Sequence, residues 1–131
     1  MILLDTNALI RWICAPEKLT KKARQTIDQA LKKDQILVSS ISVWEISLLI
    51  KKGRVGFFID ADSWLEEMEG VPFIRFVPVD NQIAAKSVNL NGNFHQDPAD
   101  RIIVATALIN GLTIVTSDKR ILNYPAVQSI W

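Results

Sequence analysis

Histidine and cysteine are almost missing from this chain of 131 residues. His95 is the only histidine, so a two-imidazole route to RNA cleavage and any multi-histidine metal site are excluded. Cys14 is the only cysteine, so there is no intrachain disulfide and no cysteine-based zinc cluster. That usage suits a reducing compartment, and a cytoplasmic location is expected. Catalysis, if present, must rest on carboxylates, Lys, Arg or hydroxyls. Long apolar runs are also lacking. The longest uncharged stretch, Ile102 to Ser117, is broken by Asn110-Gly111 and cannot span a bilayer. The opening Met1-Ile2-Leu3-Leu4-Asp5 has no basic segment, and no signal peptide is read there. No membrane partner is expected. Charge of one sign does not dominate either, since 15 Lys/Arg face 14 Asp/Glu, a net charge of +1. The basic residues lean toward the first half, so a local basic face is open and a general one is not.

What is present is ordinary for a globular protein: 49% hydrophobic and 22% charged residues. The length fits a single domain over 1–131, able to bury about two-thirds of its unfolded surface. Short apolar runs alternate with helical patterns. Strands are expected at Ile2-Leu3-Leu4, Ile36-Leu37-Val38, Phe73 to Val79, Leu112 to Val115 and Val127 to Ile130. Helices are expected from a Thr20 cap through Lys33, from the Ser39, Ser40 and Ser42 region to Gly53, from Asp62 through Glu69, over Asp80 to Leu90, and from Asp97-Pro98 to Gly111. This alternation predicts a three-layer α/β/α fold with a mainly parallel sheet. It does not give the strand order.

In such sheets, sites form beyond the carboxyl ends of the strands. Asp5 follows the first strand and Asp118 follows the strand ending at Val115-Thr116. A helix that precedes a parallel strand starts at that same edge, which places Asp100 there, and Glu45 lies early in a helix that follows a strand. Glu45 is the only charged residue between Asp34 and Lys51, and its helical neighbours Ile41, Leu48 and Leu49 are aliphatic. An acid in that setting needs a cation, a metal or a proton. Simpler roles stand beside these. Ser42 and Glu45 match a capping box, Asp97 is an N-cap, Asp100 suits a helix dipole, and Asp5 and Asp118 can form turns. His95, in a polar loop, reads as solvated. Lys51, Lys52 and Arg54 read first as a solvated helix end and second as a phosphate contact, and Trp12, Trp44, Trp64 and Trp131 as core or interface. Two carboxylates about 4 Å apart repel by around 4 kcal/mol at an effective dielectric of ~20. Four together must take up protons or hold cations. Oxygen-only donors select a hard ion, Mg²⁺ or Mn²⁺, and such clusters serve phosphoryl chemistry.

Four segments then resemble the PIN domain, and within it the VapC-type toxins. These are Leu3-Leu4-Asp5-Thr6-Asn7-Ala8-Leu9, Ser42-Val43-Trp44-Glu45-Ile46, His95-Gln96-Asp97-Pro98-Ala99-Asp100-Arg101 and Val115-Thr116-Ser117-Asp118. The resemblance implies that Asp5, Glu45, Asp100 and Asp118 are the catalytic, metal-binding acids, with Asp5 and Asp100 the direct ligands and Thr6, Asn7 and Thr116 in support. Ala99 stands where the family often has an aromatic. The resemblance further implies a metal-dependent endoribonuclease that uses water on RNA, a homodimer, and a cognate antitoxin. An antitoxin arginine inserted among the acids, with an apolar strip over Trp12 and Ile13, is the expected mode of inhibition. Two other readings stay open: an RNA- or partner-binding module with a structural ion site, and a phosphoacceptor receiver domain. The latter wants paired acids after the first strand, where Asp5 stands alone.

Overall fold

The computed structural model describes residues 1–54 and 59–131. Five parallel strands form its centre: β1 (Ile2–Leu4), β2 (Ile36–Ser39), β3 (Ile74–Val77), β4 (Thr113–Val115) and β5 (Ser129–Ile130), in the order β3-β2-β1-β4-β5. Seven helices accompany them among the described residues: α1 (Thr6–Cys14), α2 (Lys21–Leu31), α3 (Ser40–Lys51), α4 (Ala61–Glu69), α5 (Asn81–Val88), α6 (Pro98–Asn110) and α7 (Lys119–Leu122). None is long and apolar enough to cross a membrane.

The three layers follow from the two-residue period of a strand, which sends successive side chains to opposite faces. Ile2, Leu4, Ile36, Val38 and Val115 point one way, into a core filled by Ala8 and Leu9 of α1, Ala23 and Ile27 of α2, Ile46 of α3, and Trp64 and Met68 of α4. Leu3, Leu37 and Ile114 point the other way, toward Ile83 of α5, Ile103, Val104 and Ala107 of α6, and Ile121 of α7. A strand covered on both faces carries no polar residue, which is why β1 reads Ile-Leu-Leu. Leu3 and Leu4 are both fully buried, each stabilising the fold by about 1.5–3 kcal/mol.

The caps set where helices begin. Thr20 accepts the Ala23 N–H (3.0 Å), as its place before the helical pattern requires. Gly111 ends α6 with φ 64°, a left-handed conformation that glycine adopts without strain. Three expectations are corrected. The cap of α3 is Ser39, whose hydroxyl accepts the Ile41 N–H (3.2 Å), so Ser42 and Glu45 form no capping box. Asp60, two residues before Asp62, caps α4 by accepting the Ser63 N–H (2.8 Å). The nine residues of α1 follow β1 with only Asp5 between them, a helix absent from the sequence reading. One result of this order is that β1 and β4, paired Leu4 to Val115, deliver Asp5 and Thr116 side by side. The Asp5 N–H donates to the Val115 carbonyl (3.2 Å) and holds them there.

Candidate metal centre

Asp5 is both a helix cap and a buried acid. Its Oδ1 accepts the Ala8 N–H (2.7 Å), its Oδ2 accepts the hydroxyl of the fully buried Thr116, and the residue is only 5% exposed. The same Thr116 hydroxyl accepts the Asp118 N–H (2.9 Å), so one side chain positions two acids. Thr6 does the equivalent on the α3 side. Its hydroxyl donates to Glu45 Oε1 (2.6 Å) and shares a hydrogen bond with Ser42 Oγ (2.9 Å). Asp100 stands in the first turn of α6, where its N–H donates to Asp97 Oδ1 (3.0 Å). Asp97 is therefore the N-cap that its place before Pro98 suggests. Asp118 caps α7 through the Arg120 N–H (2.8 Å).

These elements converge. Asp5, Glu45, Asp100 and Asp118 line one cavity of about 290 Å³, together with Thr6, Asn7, Trp44, Leu48, Leu49, Lys52 and Arg54. Every sequence-derived site residue except Thr116 is on that wall, and Thr116 lies directly behind it on Asp5.

Crowding and burial show in the acidities. Burial pushes Asp5 up to about 6 against the stabilising Thr116 and Ala8 hydrogen bonds, with Asp118 and Glu45 adding repulsion. Burial likewise raises Asp100 to about 7, helped by Asp97, Asp118 and Glu45 and opposed by Arg120. Glu45 also moves up, mainly through burial and despite the Thr6 hydroxyl. Asp118 goes the other way. Burial would raise it, but the Arg120 hydrogen bonds and charge outweigh that and lower it.

Arg120 and His95 were not singled out from the sequence as parts of this site. The Arg120 guanidinium forks onto Asp118, Nε to Oδ1 at 3.2 Å and Nη2 to Oδ2 at 3.0 Å, and Nη2 reaches within 3.6 Å of Asp100 Oδ2. His95, expected to be solvated, instead turns inward. Its Nε2 is 3.1 Å from Asp100 Oδ2, and its Nδ1 is 3.3 Å from Arg120 Nη1. The loop is pinned by Arg101, whose guanidinium donates to the carbonyls of Ser87 (2.7 Å), Phe94 (3.0 Å), His95 (3.2 Å) and Val88 (3.2 Å). Arg120 follows Asp118 by only two residues, a spacing that marks no helical pair, so the sequence carried no signal for it. Nothing local marks the turn of His95.

The donor chemistry fits a hard divalent cation. The cavity offers carboxylate oxygens, three of its four acids are raised by burial and then by the charge of neighbouring acids, and donor atoms of His95, Asp100 and Asp118 lie within 4.8 Å of one another. Arg120 compensates Asp118 and only part of Asp100.

Residues 2–127 match the PIN domain. The chain belongs to the PIN-domain family. A curated relative, Ribonuclease VapC22 of Mycobacterium tuberculosis (strain ATCC 25618 / H37Rv), is 33% identical over 132 residues, covering 99% of this chain and 98% of that protein. Two solved structures share the fold. FitAcB from Neisseria gonorrhoeae superposes with a TM-score of 0.73 at 24% identity, over 100% of this chain and 97% of that one. A toxin–antitoxin complex from Klebsiella pneumoniae gives 0.64 at 23%, over 97% and 95%. In this PIN domain the remaining tryptophans divide. Trp64 is buried, Trp12 packs edge-on against Phe73 (6.2 Å between centroids), Trp131 lies under the Arg11 guanidinium, and Trp44 is exposed. Of the apolar strip expected at Trp12 and Ile13, Ile13 alone is exposed.

Proposed function

We propose that this PIN domain is a divalent-metal-dependent endoribonuclease and the toxin of a toxin–antitoxin pair, a homodimer acting on RNA in the cytoplasm and silenced by a cognate antitoxin. One observation carries the catalytic part: four carboxylates from four separate elements surround a single cavity without enough protein cations to neutralise them. The relative named a ribonuclease, and the fold shared with a toxin–antitoxin complex, support the biological part.

Asp5 and Asp100 are the proposed direct ligands, with Glu45 and Asp118 completing the set. A bound Mg²⁺ or Mn²⁺ supplies positive charge that lowers the pKa of water and offsets charge on the reacting phosphate and the leaving oxygen. The chain's own residues do the rest. Thr116 and the α1 backbone hold Asp5 in one rotamer by occupying both its oxygens. Thr6 fixes Glu45, and Asn7 borders the cavity beside them. Burial keeps water from screening the acids, so their field at the cavity is stronger than at an open surface. By the resemblance to PIN-domain nucleases, water is the proposed nucleophile, and the products would carry 5′-phosphate and 3′-hydroxyl ends. An antitoxin arginine entering the cavity would meet the same uncompensated acids in a bidentate fork.

The test is cleavage of a structured RNA by the purified protein with Mg²⁺ or Mn²⁺, with chelator, and with Asp5→Asn. Expected are metal-dependent cuts with 5′-phosphate ends, lost with chelator and in the variant. Cleavage indifferent to chelator, or cyclic-phosphate ends, would overturn the mechanism. RNA binding with no cleavage under any metal would leave the chain a binding module.

A further inference from the structure

Trp44 is 57% exposed, an unusual state for so large an apolar side chain on a well-formed helix. It also stands where three hollows meet. One is the acid cavity itself; a second, of about 410 Å³, opens toward Pro98 and Ala99, and a third, of about 610 Å³, opens toward Ile59. Further along, Lys52 and Arg54 reach the wall of the acid cavity from the carboxyl end of α3. Neither forms an ion pair among the described residues; the ion pairs there belong to Arg120 and His95. Trp44, Leu48 and Lys52 are spaced i, i+4 and i+8, so they share a helix face about 12 Å long.

A cavity walled by acids repels phosphate, so an RNA strand entering it must be held by other groups. Two kinds of group hold single strands irrespective of sequence: aromatic faces that stack bases and cations that follow the backbone. Both are present here on the wall of the acid cavity, Trp44 on α3 and Lys52 and Arg54 just past its carboxyl end. We infer that Trp44 is the stacking platform for an unpaired nucleobase of the substrate, with Lys52 and Arg54 taking the adjoining phosphates, so that single-stranded RNA crosses the cavity along α3. This rests on the ribonuclease reading. Base and phosphates are gripped along the α3 wall of the cavity, and the scissile phosphate is brought to the acids.

The experiment measures fluorescence anisotropy of a short labelled oligouridylate and of an abasic ribose-phosphate oligomer of equal length, in chelator to prevent cutting. Trp44→Ala is expected to bind the oligouridylate about 10-fold more weakly, while Trp44→Phe keeps most of the affinity. The abasic oligomer should bind the wild type and Trp44→Ala equally. Lys52→Gln and Arg54→Gln should weaken both oligomers and each reduce the salt slope by about 0.7. Unchanged oligouridylate affinity in Trp44→Ala, an equal loss on the abasic oligomer, or no binding by the wild type overturns the inference. So does sedimentation showing a wild-type dimer that Trp44→Ala converts to monomer, since the indole would then serve a contact between copies. Failure of the ribonuclease reading is seen separately, as absent cleavage when metal is supplied.

Discussion

Replacing Asp100 by Asn should stabilise the metal-free protein at alkaline pH while destroying its metal response. The Asp100 carboxyl is raised from 3.8 to about 7 in the folded chain, first by burial and then by Asp97, Asp118 and Glu45. An acid harder to ionise folded than unfolded binds more protons in the native state between those two values. Stability therefore falls as pH rises through that window and stays low above it. Each pH unit is worth about 1.4 kcal/mol, which sets an upper bound of about 4 kcal/mol. The side chain is 20% exposed, and screening by that solvent reduces the penalty to about 1–2 kcal/mol. Asparagine keeps the shape and cannot ionise. At pH 8 in chelator, Asp100→Asn should melt about 4–8 °C above wild type. At about pH 3.5, below both the unfolded and the folded value, the two should nearly coincide. Adding Mn²⁺ should raise the wild-type Tm and leave the variant almost unmoved. Scanning calorimetry at both pH values checks this. A variant less stable at pH 8, or equally shifted at both, would refute the crowding account.

Thr6→Val removes the hydroxyl shared by Glu45 and Ser42, and urea denaturation should show a loss of about 1–3 kcal/mol; no change would mean those hydrogen bonds contribute nothing. Arg120→Gln removes the counter-ion that lowers Asp118, so stability should fall at neutral pH and not at acidic pH, where the protonated acid has no use for it. Titration calorimetry should find tighter Mn²⁺ binding in this variant, because no guanidinium has to leave the acids; weaker binding would show that Arg120 supports the ion. Arg101→Met breaks the clamp on four carbonyls and should cost about 2–4 kcal/mol, with hydrogen exchange accelerated across residues 89–97; protection left intact would place the rigidity of that loop elsewhere.

The strands were legible because burial on both faces forces unbroken apolar runs, and those runs end where Asp5 and Thr116 begin. Edge position was legible for the same reason: parallel strands and the helices between them share one end. The helix α1 was hidden because Asp5 does two jobs, and an acid read for its charge was not read as the cap that starts a helix. Ser42 and Glu45 show the converse. Their spacing suits a cap, but the buried Thr6 hydroxyl comes between the two and takes both into a tertiary contact. Asp60 and Asp62 are equivalent cap candidates by composition, and only the backbone turn before Ala61 separates them. His95 was illegible because its ring is held between Asp100 and Arg120, and Arg120 lies 25 residues away. Strand order was beyond reach, since β1 pairs with β2 and β4 across long stretches of chain.

Crystals soaked in Mn²⁺ and measured at the manganese absorption edge test the central claim most directly. An anomalous peak is expected inside the cavity bounded by Asp5, Glu45, Asp100 and Asp118, in contact with Asp5 and Asp100 and with Arg120 drawn away from Asp118. A cavity without a peak at saturating Mn²⁺, or a peak only at some other surface, would contradict the assignment of these four acids to a metal centre.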